Sequence, residues 1–256
     1  MSSDQLSVLS LGFAPVKGTR HRARADAVLD DHGPVGDRRY CLIDVERRQV
    51  LKTVQNPRLI AVSASLRGPV LDVALPDGRS VSAVPESAGE TLTCDYWKRS
   101  VDLELTDGPH AALLSDWLGR PVRLARAPRG EIVYGAPISL VATASIAELG
   151  ERIGHPGLVD QAARLRATAL IDTDVPFVEE TWQGREMALG DQRIVIGAPI
   201  PRCAVMDLDP VTGERNGRLL KALAGYRPKN EAGEPVFGVY ARIVSRDGRP
   251  DAVSRA

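Results

Sequence analysis

Short runs of alternating apolar and polar residues, each closed by a turn signal, are the feature that most constrains the fold of this chain. The run IAVSASLRG (60–68) alternates cleanly, and VLDVALPDGRSVSAV (70–84) alternates on both sides of a PDG turn. RRYCLIDVERRQVLKT (38–53) alternates more weakly around the polar turn VERRQ. A period of two indicates strands with one buried face. Strands this short and closely spaced predict a barrel or sandwich in the first half rather than βαβ units.

A helix is predicted near the end of the first half, and the second half is predicted to mix helices with strands. DGPHAALLSDWLG (107–119) is typical of a helix that ends at Gly119, and PISLVATASIAELGERIG (137–154) predicts a strand that runs into a helix with Ser145 as N-cap. Further strands are expected in LSVLSLGFAPV, PVRLARAP, LRATALIDTDVP and PVFGVYARIVSRDG, a hairpin at Gly190–Asp191 and a short helix in NGRLLKALAGY. The predicted fold is therefore mixed α/β and mainly β, with a boundary near residue 126 between domains 1–125 and 126–256.

Charge and cysteine content narrow the classes of partner. The chain has 33 Lys plus Arg, 33 Asp plus Glu and 4% aromatic residues, so it lacks the basic field and the stacking surface that nucleic-acid binding usually needs. Its three cysteines are odd in number and show no CxxC spacing, which fits free thiols in a reducing compartment. The N-terminus does not resemble a signal peptide, and no apolar run approaches the roughly 20 residues that span a bilayer. We expect a cytoplasmic protein without membrane or nucleic-acid partners.

The stretch PIPRCAVMDLDPVTGER (199–215) holds the most informative cysteine. Cys203 directly follows Arg202, behind two prolines. One interpretation is a small buried hydrophobic residue, which is the expectation for Cys41 and Cys94 in their strand settings. The other is a thiolate favoured by the guanidinium, able to bind a transition metal or to accept sulfur.

Other charged residues also have two interpretations. Lys17 in PVKG and Arg38 in GDRRY are either surface charges or members of a site that converges on Cys203, and spacing alone does not decide. Asp207 and Asp209 in MDLDPVTG either ligate a metal through oxygen or form a turn before the next helix, which we consider the simpler reading.

Together these motifs resemble a known family. PIPRCAVMDLDPVTG resembles the cysteine signature of the MOSC domain, the C-terminal module of molybdenum cofactor sulfurases. FAPVKG, GPVGDRRYCLID and NPRLI resemble the β-barrel domain that precedes MOSC, whereas LLKALAGYR and PVFGVYARIV resemble segments of the mitochondrial amidoxime-reducing component and its bacterial relatives. The resemblance implies an N-terminal β-barrel-like domain over 1–125, followed by a MOSC β-barrel domain with short helices over 126–256.

The resemblance also implies a set of site residues. In that subfamily the cysteine ligates molybdenum beside the dithiolene of a pterin, so Cys203 is implied as the metal ligand and catalytic residue. The phosphate of the pterin calls for cationic and amide donors. By motif position, the implied cofactor-binding residues are Lys17, Gly18, Arg38, Thr143, Ser145, Arg166, Arg202 and Tyr240.

Three functions follow from the resemblance. The first is an oxidoreductase that uses the molybdenum cofactor to reduce N-hydroxylated or related N–O compounds, with electrons from a separate flavin or iron–sulfur protein. The second is a sulfur carrier with a Cys203 persulfide, for which pyridoxal phosphate would be found only on a separate partner. The third binds the cofactor without turnover.

The chain also departs from the family pattern. The family usually has two threonines where this chain has Met206 and Asp207, and an asparagine at Thr168. These changes predict an altered substrate side, and hence the same centre acting on a different small molecule. The chain also ends in DGRPDAVSRA rather than in a strand of the form GD-x-V.

Overall fold

The structure is a computed structural model that describes residues 4–25 and 27–244. In chain order the strands are β1 Val8–Phe13, β2 Arg22–Arg24, β3 Leu29–Asp30, β4 Gly33–Pro34, β5 Tyr40–Asp44, β6 Gln49–Val50, β7 Ser63–Arg67, β8 Val70–Ala74, β9 Ser80–Ala83, β10 Glu86–Tyr96, β11 Arg99–Asp107, β12 Arg123–Arg126, β13 Ile138–Ala142, β14 Ala169–Ile171, β15 Glu186–Leu189, β16 Gln192–Pro201 and β17 Val236–Ile243. The α-helices are α1 His110–Leu118, α2 Thr143–Arg152 and α3 Leu219–Tyr226, with 3-10 helices over Thr53–Gln55, Pro57–Ala61, Pro156–Leu165, Val178–Trp182 and Ala204–Asp207. The fold is mixed and mainly β, which confirms the predicted class.

A closed barrel of five strands lies in the first half of the chain. Its order is β10-β11-β12-β5-β6, and it closes where Asp95 of β10 pairs with Gln49 of β6. Alternate side chains of these strands fill the interior with a buried apolar cluster that includes Cys41, Ile43, Cys94 and Leu103. The period of two in the sequence is therefore the inside–outside alternation of the barrel wall.

A second sheet joins the two ends of the chain. Seven strands lie in the order β15-β16-β17-β13-β14-β1-β2. β1 pairs antiparallel with β14, whose other neighbour is the parallel strand β13. The two strands β1 and β2 from the start of the chain thus lie in the sheet whose other five strands come from the second half.

Several local predictions are confirmed. The chain turns at Gly78, with φ 91°, between β8 and β9, and at Gly190 between β15 and β16. α1 ends at Gly119, whose φ of 68° lets its N–H reach the carbonyls of Ser115 and Asp116. The short helix expected in 216–226 is α3.

Other local predictions are wrong or incomplete. Ser145 is not an N-cap: α2 follows Ala142 in extended conformation, and Ser145 lies inside its first turn, where Glu179 draws the hydroxyl away from the helix terminus. The first strand stops at Phe13, because residues 14–16 pair with the start of β5 instead. The hairpin of β10 and β11 was not predicted, because its tip carries no glycine, asparagine or proline. The departure in DGRPDAVSRA lies outside the described residues.

Candidate functional site

Cys203 lies just past the end of β16, with its side chain exposed. Pro199 and Pro201 cannot donate to the ladder, and the register with β17 shifts at both. The backbone N–H of Arg202 still reaches the carbonyl of Pro235 at 2.9 Å, which fixes the strand end. The interpretation of Cys203 as a buried hydrophobic residue is therefore wrong. For Cys41 and Cys94 it is confirmed: both are buried, and burial raises the pKa of the Cys41 thiol to about 12.

The side chain of Arg202 fixes the end of β16 through hydrogen bonds to two backbone carbonyls. Its Nε donates to the carbonyl of Phe237 at 2.8 Å, and its Nη1 to the carbonyl of Leu165 at 2.9 Å. Its Nη2 is buried without a hydrogen-bond partner in the described part of the chain. A Cβ at Gly238, whose φ is 73°, would come within 3.2 Å of this Nη2 and 2.5 Å of the Leu140 carbonyl, so the position requires glycine. Burial lowers the pKa of Arg202 to about 10, against the opposing influence of Tyr240 and Cys203.

Lys17 reaches the same region from the segment after β1. Its backbone N–H donates to the carbonyl of Tyr40 at 2.8 Å, and its Nζ lies 4.9 Å from the centroid of the Tyr96 ring. Burial and the neighbouring guanidinium groups of Arg38 and Arg166 lower the pKa of Lys17 to about 7. Gly18 follows with φ 91°, which lets the backbone turn tightly against Leu59.

Arg38 and Arg166 both adopt left-handed backbone conformations, with φ 45° and 52°. Arg38 is ion-paired with the carboxylate of Asp37, which also accepts the backbone N–H of Ala14 at 3.1 Å. Arg166 donates through Nη2 to the carbonyl of Thr19 at 2.9 Å. Burial and then Arg38 lower the pKa of Arg166 to about 10, whereas Asp37 and Cys203 act in the opposite direction.

These four basic residues, Lys17, Arg38, Arg166 and Arg202, are called the cationic cluster below. Among the described residues, Asp37 is the one carboxylate in direct contact with it. Repulsion among the cations lowers the pKa of Lys17 more than Asp37 raises it. A partly buried group of cations with too little compensating charge is unfavourable by itself, and it is the electrostatic setting that an anion would stabilise.

Tyr240 joins the cationic cluster from β17. Burial raises its pKa to about 12, while the charges of Arg202 and Arg38 lower it and those of Tyr134 and Cys203 raise it further. A Cβ at Gly135 would lie 2.3 Å from the ring of Tyr240, so the backbone of the loop that precedes β13 lies directly on that ring. The structure thus brings together Cys203, Tyr240 and the cationic cluster, with Gly18 beside Lys17.

Thr143 and Ser145 form hydrogen bonds elsewhere. The hydroxyl of Thr143 donates to Asp172 at 3.1 Å, and the hydroxyl of Ser145 donates to the Glu179 carboxylate at 2.9 Å while it accepts the N–H of Phe177 at 2.7 Å. No hydrogen bond in the described ranges links either hydroxyl to the cationic cluster. Their role as cofactor ligands stays a prediction.

The segment after Cys203 is structural. Asp207 is buried, and its carboxylate accepts the N–H of Leu220 at the start of α3 at 2.9 Å and an N–H of Nη1 of Arg215 at 3.1 Å. Asp209 accepts the N–H groups of Val211 and Thr212, both at 2.8 Å. This acidic turn, residues 207–216, agrees with the turn interpretation, and no group of three or more His, Cys, Asp and Glu residues in the described ranges could hold a metal ion.

The expectation that Met206, Asp207 and Thr168 shape the substrate side is wrong. Met206 is 2% exposed and packs in an apolar cluster with Leu219 and Leu223. Thr168 is also buried, and its hydroxyl accepts the N–H of Ser139 at 3.2 Å. These residues lie near site residues in sequence, but their side chains point into the interior.

Two neighbours of the cluster were missed by the sequence analysis. Asp37 directly precedes Arg38, and only the tertiary contact with Ala14 shows its role. His21 lies close enough to Arg166 and Arg38 that burial and these charges lower its pKa to about 3, so its imidazole is neutral. A cavity of about 480 Å³ opens beside Arg38, and Asp37, Arg39, Arg126 and Arg129 contribute to its lining. A cavity of about 550 Å³ is lined by none of the predicted site residues.

Comparisons with known proteins agree with this architecture. The MOSC N-terminal beta barrel domain matches residues 5–121, and the MOSC domain matches residues 119–253. The chain therefore belongs to the MOSC domain family. The domain limits 1–125 and 126–256 stay a prediction.

Among curated proteins, the chain is similar to proteins named molybdenum cofactor sulfurase. It is 28% identical to that of Caenorhabditis elegans over 92% of this chain and 33% of the relative, and 24% identical to that of Anopheles gambiae over 86% of this chain and 30% of the relative. It is 29% identical to the human protein over 45% of this chain and 13% of the relative. The chain spans at most a third of the length of these relatives. Within its described residues, none of the helices has both the length and the apolar character needed to cross a membrane.

Proposed function

We propose that this protein binds the molybdenum cofactor, with the thiolate of Cys203 as a ligand of the metal. The observation that carries the proposal is the exposed thiol beside the cationic cluster, in which one carboxylate, that of Asp37, is ion-paired with one of the four cations, Arg38. A soft thiolate suits a transition metal, and the cations suit the phosphate of the pterin. The names of the similar curated proteins support the same cofactor.

The electrostatics of the cationic cluster fit an anionic group. Burial and then the charge of Arg38 lower the pKa values of both Lys17 and Arg166, and a nearby phosphate would offset both effects. It would also give the buried Nη2 of Arg202 the acceptor that the described residues do not supply. Lys17, Arg38 and Arg166 would therefore bind the anionic part of the cofactor, and Gly18 would let the backbone approach it.

The chain itself would position the thiol. The hydrogen bonds of Arg202 to Leu165 and Phe237 hold the carboxyl end of β16 against its neighbours, and the two prolines restrict its backbone. Tyr240 would form one wall, because the loop at Gly135 presses on its ring. Thr143 and Ser145 are left out of the proposed contacts, because their hydroxyls bond to carboxylates.

The proposed reaction is the reduction of an N-hydroxylated or related N–O compound. When bound, the cofactor supplies two-electron redox chemistry, and the protein contributes placement and electrostatics. The N–O bond breaks, and its oxygen leaves as water after the uptake of two electrons and two protons. The electrons would come from a separate flavin or iron–sulfur protein.

A second candidate is a sulfur carrier, which the sulfurase names of the relatives favour. The Cys203 thiolate would attack the outer sulfur of a partner's persulfide, so that the sulfur moves to Cys203 and the partner keeps a thiolate. Any pyridoxal phosphate would then lie on that partner. Binding of the cofactor without turnover is the remaining alternative.

Metal and pterin content of protein from a cofactor-competent host tests the proposal. We expect about one molybdenum per chain in the parent and nearly none in Cys203→Ser, since a hydroxyl is a harder and poorer ligand than a thiolate. Arg166→Gln should also lose cofactor, whereas the matched control Arg215→Gln, from the acidic turn, should keep it. Full molybdenum occupancy in Cys203→Ser would contradict the proposed ligand.

The reaction needs a second experiment. A panel of N-hydroxylated compounds, N-oxides and sulfoxides is supplied with a chemical reductant, and turnover is compared between the parent and Cys203→Ala. We expect turnover of at least one N–O compound in the parent alone. Equal rates on every compound would refute the reductase, and cyanide-labile sulfur on Cys203 would then support the carrier.

A further inference from the structure

The tip of the β10–β11 hairpin is built from unusual residues. Trp97 and Lys98 join the two strands with φ values of 55° and 66°. Two-residue loops with positive φ at both positions normally carry Asn-Gly or Asp-Gly. A bulky side chain in the left-handed region carries a steric cost, and such strained residues cluster at sites that bind ligands. The chain therefore tolerates strain to place a tryptophan at this tip.

A second ring stands beside this tryptophan. The ring centroids of Trp97 and Tyr134 are 5.4 Å apart, and their planes are inclined by 58°. Arg99 ties the two segments together, because its Nη2 donates to the carbonyls of Glu131 at 3.3 Å and Val133 at 3.1 Å. Trp97 and Tyr134 nevertheless stay 43% and 50% exposed. They are held in place but not covered, which leaves aromatic surface for another planar group.

The pair lies at the edge of the candidate site. Tyr134 directly precedes Gly135, whose backbone lies on the ring of Tyr240. The charges of Tyr134 and Cys203 both contribute to raising the pKa of Tyr240. A ring held by Trp97 and Tyr134 would thus lie near Tyr240, one of the residues of the candidate site.

A cation accompanies the two rings. Nζ of Lys52 lies 4.4 Å from the centroid of the Trp97 ring. No ion pair of Lys52 is formed within residues 4–25 and 27–244, so its charge is available to an anionic substituent.

We infer that Trp97 and Tyr134 form a binding subsite for the planar ring of an aromatic anion, with Lys52 meeting its carboxylate. The inference rests on the proposed function only in taking the ligand to be an N–O compound presented toward Cys203. The binding itself does not depend on turnover.

Binding of three N-oxides to the cofactor-loaded protein tests this subsite. The probes are nicotinate N-oxide (planar and anionic), pyridine N-oxide (planar and neutral) and trimethylamine N-oxide (neither), and each is titrated by calorimetry or ligand-observed NMR. The parent should prefer nicotinate N-oxide. Trp97→Asn should weaken the binding of nicotinate N-oxide and of pyridine N-oxide about tenfold, because an aromatic stacking surface is lost. Lys52→Met should weaken the binding of nicotinate N-oxide alone, about threefold.

Two controls separate binding from folding. Asparagine is favoured in this turn, so Trp97→Asn should keep or increase thermal stability, and weaker binding could not be attributed to misfolding. Trp117 is the matched control, since Arg58 lies 4.4 Å from the centroid of its ring but the ring packs against the buried cluster around Leu114, and Trp117→Phe should bind all three probes like the parent.

The outcomes keep the two proposals apart. If Trp97→Asn binds the three probes as the parent does, the subsite is refuted, even when turnover still depends on Cys203. If selective binding is lost in Trp97→Asn while the parent and Cys203→Ala have equal rates on every compound of the wider panel, the subsite stands and the reductase fails. A parent that shows no preference among the probes also overturns the subsite.

Discussion

The two polar regions near Cys203, the acidic turn and the cationic cluster, differ in how far their charges are compensated by other groups. In the acidic turn, the carboxylates of Asp207 and Asp209 accept backbone N–H groups and side-chain donors. In the cationic cluster, the cations repel one another, and Nη2 of Arg202 has no acceptor among the described residues. Satisfied polar groups are expected of a structural element, whereas uncompensated ones at an exposed thiol indicate a place for a ligand. The comparison therefore assigns a structural role to the acidic turn, the structural side, and supports the proposed binding role of the cationic cluster, the binding side.

The largest expected effect of a single substitution at neutral pH is on the structural side. Asp207→Ala leaves the N–H of Leu220 and the guanidinium of Arg215 without their acceptor, so the free energy of unfolding should fall by about 2–3 kcal/mol. Urea unfolding of the variant measures this loss. Asp77→Ala removes an exposed carboxylate paired with Arg79 and should change little. If Asp207→Ala kept full stability but lost cofactor, the acidic turn would belong to the site and the comparison would break.

The next effect is a pH dependence on the binding side. The pKa of Lys17 is about 7 in the folded protein and 10.5 when unperturbed. Between these values the unfolded chain binds a proton that the folded chain has released, so stability should rise with pH in this window. Below about pH 7 both states are protonated, and the dependence disappears. The slope from one such group is at most about 1.4 kcal/mol per pH unit.

Unfolding of cofactor-free protein between pH 7 and 10 measures this slope. Lys17→Met should remove the rise with pH and should be at least as stable as the parent at pH 7, because it removes an uncompensated cation. Lys221→Met, from the exposed face of α3, is the control and should keep the slope. Identical pH profiles for the parent and Lys17→Met would mean that Lys17 is already compensated, which contradicts the proposed anion site.

The same two regions show what the sequence could predict. The hairpins at Gly78 and Gly190 and the end of α1 at Gly119 depend on local patterns, and these predictions agree with the structure. Asp37 and His21 were missed because their importance depends on contacts with distant segments. The β10–β11 hairpin was missed because Trp97 and Lys98 occupy a turn that normally shows glycine or asparagine.

Orientation was the weakest part of the prediction. Met206 and Asp207 follow Cys203 closely in sequence, yet the 3-10 helix over Ala204–Asp207 turns both side chains inward. Ser145 was expected to cap α2, but a carboxylate from a distant segment binds its hydroxyl. In each case a tertiary partner decided where the side chain points.

The smallest expected effect is the influence of the cationic cluster on how fast the Cys203 thiol reacts with charged reagents. Cys203 is exposed while Cys41 and Cys94 are buried, so a disulfide reagent should label Cys203 alone in the native, cofactor-free protein. A dianionic aromatic disulfide should gain about threefold over a neutral dipyridyl disulfide, and the gain should shrink as salt screens the cations. Arg166→Gln should reduce this ratio, because the charges of Arg166 and Cys203 interact, whereas Arg215→Gln should leave it unchanged. A ratio insensitive to both salt and Arg166→Gln would show that the cations are neutralised by groups on the protein, and the distinction between the two regions would then fail.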